Sequence, residues 1–119
     1  MPSKSRLRRT ISRWANPAEA EARDLRRTFA ADGSLSVVDA PDRTPVTLRG
    51  TLRTVTLRPR GGVPALEAEL YDGTGTITVV WLGRRRIAGI DPGRAIEVSG
   101  RVSAHDSTRI LYNPRYELL

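Results

Sequence analysis

The chain has 119 residues, with 20 lysines and arginines against 13 aspartates and glutamates, a net charge of +7, no cysteine and a single histidine, His105. That length allows one small domain with an appendage. No stretch approaches the ~18 apolar residues that would span a bilayer, so a cytoplasmic chain without a membrane segment is expected. The absence of cysteine and the lone histidine leave no disulfide framework, thiol nucleophile or histidine-rich metal cluster, and no cofactor is expected. The positive field attracts polyanions, and 19 of the 20 basic residues are arginine, whose planar fork of donors suits phosphate.

Residues 1–33 read as a basic helical extension. Lys4 to Arg13 is dense in arginine, and Leu7, Ile11, Trp14, Ala18, Ala22, Leu25 and Phe29 recur at spacings of three and four, the stripe of one helical face. Pro17 interrupts the stripe. Asn16-Pro17-Ala18-Glu19 has the form of a helix start, with an amide cap, proline in the first turn and glutamate three residues after the cap. A frayed basic segment over 5–14 and a firmer helix over 17–30, stopping near Asp32-Gly33, are predicted. Residues 34–45, with Asp, Pro, Ser and only the short apolar pair Val37-Val38, are expected to be a linker or a short leading strand.

From Val46 onward the helical period gives way to alternation. Val46, Leu48 and Leu52 share one face, and the phase then shifts to Val55 and Leu57, as happens across a bulge, with Gly50 where such a strand would coil. Arg58-Pro59-Arg60-Gly61-Gly62 is a turn. Ala65 to Tyr71 alternates, with Leu66, Ala68 and Leu70 inward and Glu67, Glu69 and Tyr71 outward. Asp72-Gly73-Thr74-Gly75 closes a hairpin into a third strand, Thr76 to Leu82. Gly83 to Ile90 has room for one or two helical turns, Asp91-Pro92-Gly93 turns into a fourth strand over Ile96 to Val102, and Arg109 to Tyr112 is the last.

A long coiled first strand, a tight hairpin, a small helix between strands three and four, then two more strands: this order is that of a five-stranded Greek-key barrel of the oligonucleotide-binding (OB) type, here over 46–119. The fold class is therefore all-β with an N-terminal helical extension. The stretch also resembles a known family, the wedge domain of RecG-type helicases, with the wider set of anticodon-binding-like OB barrels. The resemblance rests on Leu48-Arg49-Gly50, on Leu70 through Leu82 (LYDGTGTITVVWL), on Pro92-Gly93-Arg94 and Val98 through Val102, and on Asn113-Pro114-Arg115-Tyr116-Glu117-Leu118. It implies contact with single-stranded or junction DNA. The chain departs from the helicases in lacking a P-loop or motor, and it has Trp81-Leu82 where the wedge carries adjacent aromatics.

Strand binding needs basic groups along a phosphate chain and aromatic faces for bases. Trp81 shares parity with Ile77 and Val79 and reads as a core residue, which leaves Tyr71, on the outward parity of strand two, as the better stacking candidate. The usual ligand face of the fold would show Glu67, Glu69, Thr78 and Val80 beside Tyr71, and its two carboxylates repel phosphate. Arg49 and Arg53 on the neighbouring strand read equally as cross-sheet partners of those glutamates or as phosphate contacts. Arg84, Arg85 and Arg86, with Arg58, Arg60, Arg101 and Arg109 in turns and at strand ends, have few acidic neighbours and are the favoured phosphate binders, against a merely solvated surface. Lys4, Arg6, Arg8, Arg9 and Arg13 form a third basic patch.

Catalysis finds no support. Asp72-Gly73-Thr74 is explained by a turn, and His105 beside Asp106 and Ser107 lacks an oriented base and an oxyanion site. A non-enzymatic nucleic-acid-binding protein is expected, meeting single-stranded or branched DNA, or RNA, mainly through arginine and phosphate. The alternative is an interaction module in which the helix over 17–30 presents Ala18, Ala22, Leu25 and Phe29 to a protein partner or a second copy.

Overall fold

The computed structural model describes residues 16–30 and 34–119. The basic segment expected over 5–14, the patch from Lys4 to Arg13 and the stop at Asp32-Gly33 lie outside the described residues. Helix α1 spans Pro17–Phe29. Its start follows from the sequence: the Asn16 side chain accepts a hydrogen bond from the Glu19 amide at 3.4 Å and donates back to the Glu19 carboxylate at 3.0 Å. Together these satisfy an otherwise unpaired amide of the first turn. No residue of α1 is buried, and Ala22, Leu25 and Phe29 are half-buried.

The barrel strands are β1 (Pro45–Leu57), β2 (Ala65–Tyr71), β3 (Thr76–Leu82), β4 (Ala95–His105) and β5 (Thr108–Tyr112). Neighbours in the sheet run β1-β2-β3-β5-β4, and β4 pairs back onto β1, which closes the ring. All pairings are antiparallel except β3 with β5. Alternating inward residues fill the interior, with Leu48, Leu52, Leu70, Ile77, Val79, Ile96, Val98, Val102 and Leu111 fully buried. A ring of short strands needs a dense apolar centre, and fully burying each such side chain contributes roughly 1.5–3 kcal/mol.

The phase shift in β1 is a one-residue bulge between Leu52 and Val55. It lets β1 serve two partners: Pro45 to Thr51 pair with β4, and Thr51 to Leu57 pair with β2. At the changeover a side chain on Gly50 would put its Cβ 2.7 Å from the Tyr71 carbonyl oxygen. Gly50→Ala is therefore expected to lower stability by about 1–3 kcal/mol through overpacking. Urea denaturation checks this: the midpoint falls with the slope unchanged, and an unchanged midpoint would contradict the close approach.

Two features depart from the sequence expectation. The short helix expected between the third and fourth strands is absent, and residues 83–94 are turns. Gly83 and Gly89, both at positive φ, bracket only five residues, three of them consecutive like-charged arginines, and the segment makes only isolated turn bonds, Ile90 N–H to the Ile87 carbonyl and Arg94 N–H to the Asp91 carbonyl, each at 3.1 Å. Buried Ile87 and Ile90 still plug that end of the core. In addition, Arg115–Leu118 forms β6, which pairs with β4 as a continuation of β5 beyond an interruption at Asn113-Pro114. The barrel keeps five strands; β6 extends one of them.

Residues 34–44 lie against the barrel. Leu35 bridges to Leu48, a short 3₁₀ turn covers Val37–Asp39, and Val37 is wholly buried in the core.

Candidate nucleic-acid interface

The outer face of β2 and β3 carries alternating polar residues, as the strand period requires. Across the sheet, Glu67 on β2 stands opposite Val80 on β3, which stands opposite Tyr112 on β5. Val80 was expected to be displayed here, but it is fully buried in a small outer cluster with Ala65 and Ile110. Arg60 reaches both flanks of that row: its guanidinium donates to the Glu67 carboxylate at 3.2 Å and to the Tyr112 hydroxyl at 3.2 Å, with the cation 5.7 Å from the Tyr112 ring centre. Arg58 lies 3.8 Å from the same carboxylate and is two-thirds exposed. One glutamate thus holds two of the expected phosphate binders, Arg58 in a long, exposed ion pair and Arg60 in a shorter, partly buried one.

Hydrogen bonds bring the β1–β2 turn, the end of β3 and the end of β5 together. The Gly83 amide donates to the Pro64 carbonyl at 2.7 Å, and the Leu82 amide donates to the Asn113 side chain at 2.9 Å. At this end Leu57, Val63, Leu82 and Tyr112 are all exposed large apolar residues. Arg84, Arg85 and Arg86 follow β3 after Gly83 and are exposed, with no hydrogen bond or ion pair among the described residues. The barrel end that carries Leu82 and Tyr112 on its outer face thus also carries Arg58, Arg60 and three unpaired arginines. Such a surface offers a face for bases and donors for phosphates.

The other expected residues are placed elsewhere. Arg49 pairs with Glu97 on β4 at 2.9 Å rather than with Glu67 or Glu69. Arg53 lies 3.5 Å over the ring of Tyr71 and 3.9 Å from Glu21 of α1. Arg109 sits by the β4–β5 hairpin, and Arg101 lies in mid-β4, next to Val102, which pairs with Leu111. Arg101 donates to the Arg43 carbonyl at 3.0 Å, and Arg109 donates to the carbonyls of Val37 at 2.8 Å and Ala40 at 2.9 Å, tying down residues 37–40. Trp81 is a core residue: it is buried, its indole N–H donates to the Pro114 carbonyl at 3.2 Å, and Tyr116 meets it edge-on at 5.8 Å. Tyr112 was missed by the sequence reading. Its signal was the alternation of Ile110 and Tyr112 about buried Leu111 on a strand whose partners cannot be read from sequence.

A family model described as the OB-fold nucleic acid binding domain matches residues 46–119. The chain belongs to that family. The match begins and ends with the barrel, so the ring of β1 to β5 and its β6 extension are the family's domain. Among solved structures, the barrel is similar to RecG bound to a three-way DNA junction, at 20% identity and a TM-score of 0.60, over 82% of this chain and 14% of that one. It is also similar to a replication protein A heterotrimer bound to single-stranded DNA, at 17% identity and a TM-score of 0.52, over 75% of this chain and 67% of that one. These likenesses bear out the OB fold and the resemblance to the RecG type. The chain spans only that small fraction of the RecG chain. A search of curated proteins gives no match. No helix among the described residues is long and apolar enough to cross a membrane.

Proposed function

We propose that this OB-fold protein is a non-enzymatic binder of single-stranded or branched DNA, or of RNA, and that it holds the strand by arginine–phosphate contacts at the barrel end formed by Arg58, Arg60, Arg84, Arg85 and Arg86. The observation that carries this reading is the run of three exposed, unpaired arginines at the barrel end that also bears exposed Tyr112. Arg49, Arg53, Arg101 and Arg109 already have carboxylate or carbonyl partners, whereas Arg84 to Arg86 offer a phosphate chain donors that need not first release one. Tyr112 supplies a ring for one base, which favours a strand with unpaired bases over a closed duplex. RecG and replication protein A were both seen on DNA, which supports placing this protein with replication or repair intermediates. The half-burial of Ala22, Leu25 and Phe29 reduces the apolar surface that α1 could offer a protein partner.

The test is fluorescence anisotropy with single-stranded, duplex and three-way-junction DNA and with single-stranded RNA at two salt concentrations. Binding is expected to favour single-stranded or junction substrates and to fall steeply with salt, because each phosphate contact adds about 0.7 to the logarithmic salt slope on a single strand. A flat isotherm between low and moderate salt would remove the proposal.

A further inference from the structure

The position of α1 carries a consequence that rests on the nucleic-acid reading. Strand β2 is seven residues long, so Tyr71 lies roughly 20 Å from the β1–β2 turn, on the same outer sheet face. There Arg53, next to the β1 bulge, stacks on Tyr71 with its guanidinium carbon 3.5 Å from the ring centre. A guanidinium over an aromatic ring offers one phosphate and one base a joint site. That pair is occupied from within the chain: the Glu21 carboxylate on α1 approaches the Arg53 guanidinium at 3.9 Å, with both side chains substantially exposed.

The helix carrying Glu21 is attached in a way that permits release. Arg26 donates to the Gly73 carbonyl at 3.1 Å, and the α1 backbone at Ala22 and Arg26 approaches Gly73 so closely that a Cβ on that glycine would collide with it. Beyond this close fit, α1 buries no residue completely. An element held by one hydrogen bond, one exposed ion pair and half-buried Ala22, Leu25 and Phe29, with no side chain wholly buried, has a low local opening free energy. Exposed Glu69 remains beside Tyr71, so a phosphate must approach from the Arg53 side, which is where Glu21 stands.

We propose that α1 is a shutter over a second strand-binding position made by Arg53 and Tyr71, with Glu21 standing where a phosphate oxygen binds. A strand anchored at Arg84 to Arg86 and running along the β2–β3 face displaces Glu21, and α1 then lifts from the hairpin. The shutter sets how much of the face a strand engages.

The experiment compares binding of a single-stranded oligothymidine by the full chain and its variants. Glu21→Gln is expected to tighten binding about threefold, the scale of one exposed ion pair, and to steepen the logarithmic salt slope by about 0.7. Asp24→Asn on the same helix makes the same change in net charge and is expected to change neither. In an Arg53→Gln background, Glu21→Gln is expected to give no gain. Hydrogen exchange is expected to show α1 amides losing protection when the oligonucleotide is added, while the barrel gains it. If Glu21→Gln binds as wild type does, or if Asp24→Asn or the Arg53→Gln background gives the same gain, the shutter is wrong and the nucleic-acid reading stands. If the wild-type chain binds no strand at low salt, both fall.

Discussion

Replacing Arg84, Arg85 and Arg86 together by alanine is expected to weaken binding of a single-stranded oligonucleotide on the order of 100-fold near 0.1 M salt and to reduce the salt slope by about 2. Three contacts at about 0.7 each give that slope, and a slope of 2 between a 1 M reference and 0.1 M is about two powers of ten. The loss must come from binding, because the three side chains are exposed and make no bond among the described residues, and surface substitutions of that kind change stability by about 0.5 kcal/mol or less. Tyr112→Ala separates the other half of the site. It is expected to cost about 1–3 kcal/mol of affinity with the salt slope unchanged, since stacking releases no counterions. Anisotropy titrations across a salt series read both. A triple variant with wild-type affinity and slope would remove Arg84 to Arg86 from the site and turn attention to Arg101 on β4 and Arg109 on β5.

The contrast between these arginines and the others shows what sequence can convey. Arg84 to Arg86 lack acidic neighbours in the chain, and the structure leaves them unpaired; local composition was informative because a tight turn between two glycines brings little else near. The same turn defeated the helix prediction, since Ile87 and Ile90 have a spacing that suits a helical face but are buried by an irregular loop. The β1 bulge was legible because a change of phase in an alternating strand has few other causes, and the Asp72-Gly73 hairpin because that dipeptide matches a tight turn. Arg49, Arg53, Arg60 and Arg109 were legible only as charges. Each finds its partner across the barrel or on α1: Glu97, Tyr71 with Glu21, Glu67 with Tyr112, and the carbonyls of Val37 and Ala40. Those pairings depend on register and on which strand closes the ring, quantities that a one-dimensional pattern does not contain. Val37 shows the same limit in the core, where one member of the pair Val37-Val38 is wholly buried and the other is exposed.

Asp72 joins these threads, and its replacement by alanine is expected to produce the largest loss of stability of any single change considered. It is the one buried charged side chain among the described residues. One carboxylate oxygen accepts from the Thr74 amide at 2.9 Å, the Thr74 hydroxyl at 2.6 Å and the Gly75 amide at 3.3 Å, which shapes the β2–β3 turn. The other accepts from the Val37 amide at 2.9 Å and so pins residues 36–38 to that turn. Alanine leaves these donors without an acceptor, and hydrogen bonds to a charged group contribute about 1.5–3 kcal/mol each, so a net loss of about 3–5 kcal/mol is expected after partial rehydration. For a domain of this size that lowers the thermal midpoint by roughly 15–30 °C. Asp72→Asn tests the division of labour. Its carbonyl can still serve the turn, but its amide nitrogen faces the Val37 N–H as donor to donor, so a smaller loss of about 1–2 kcal/mol is expected, confined to the attachment of residues 34–40. Thermal denaturation with hydrogen exchange at Val37 and Thr74 distinguishes the two variants. Equal stability of wild type and Asp72→Ala would mean that Val37 is held by apolar burial alone. In that case the hairpin on which α1 rests would owe its form to Gly73 rather than to the carboxylate beneath it.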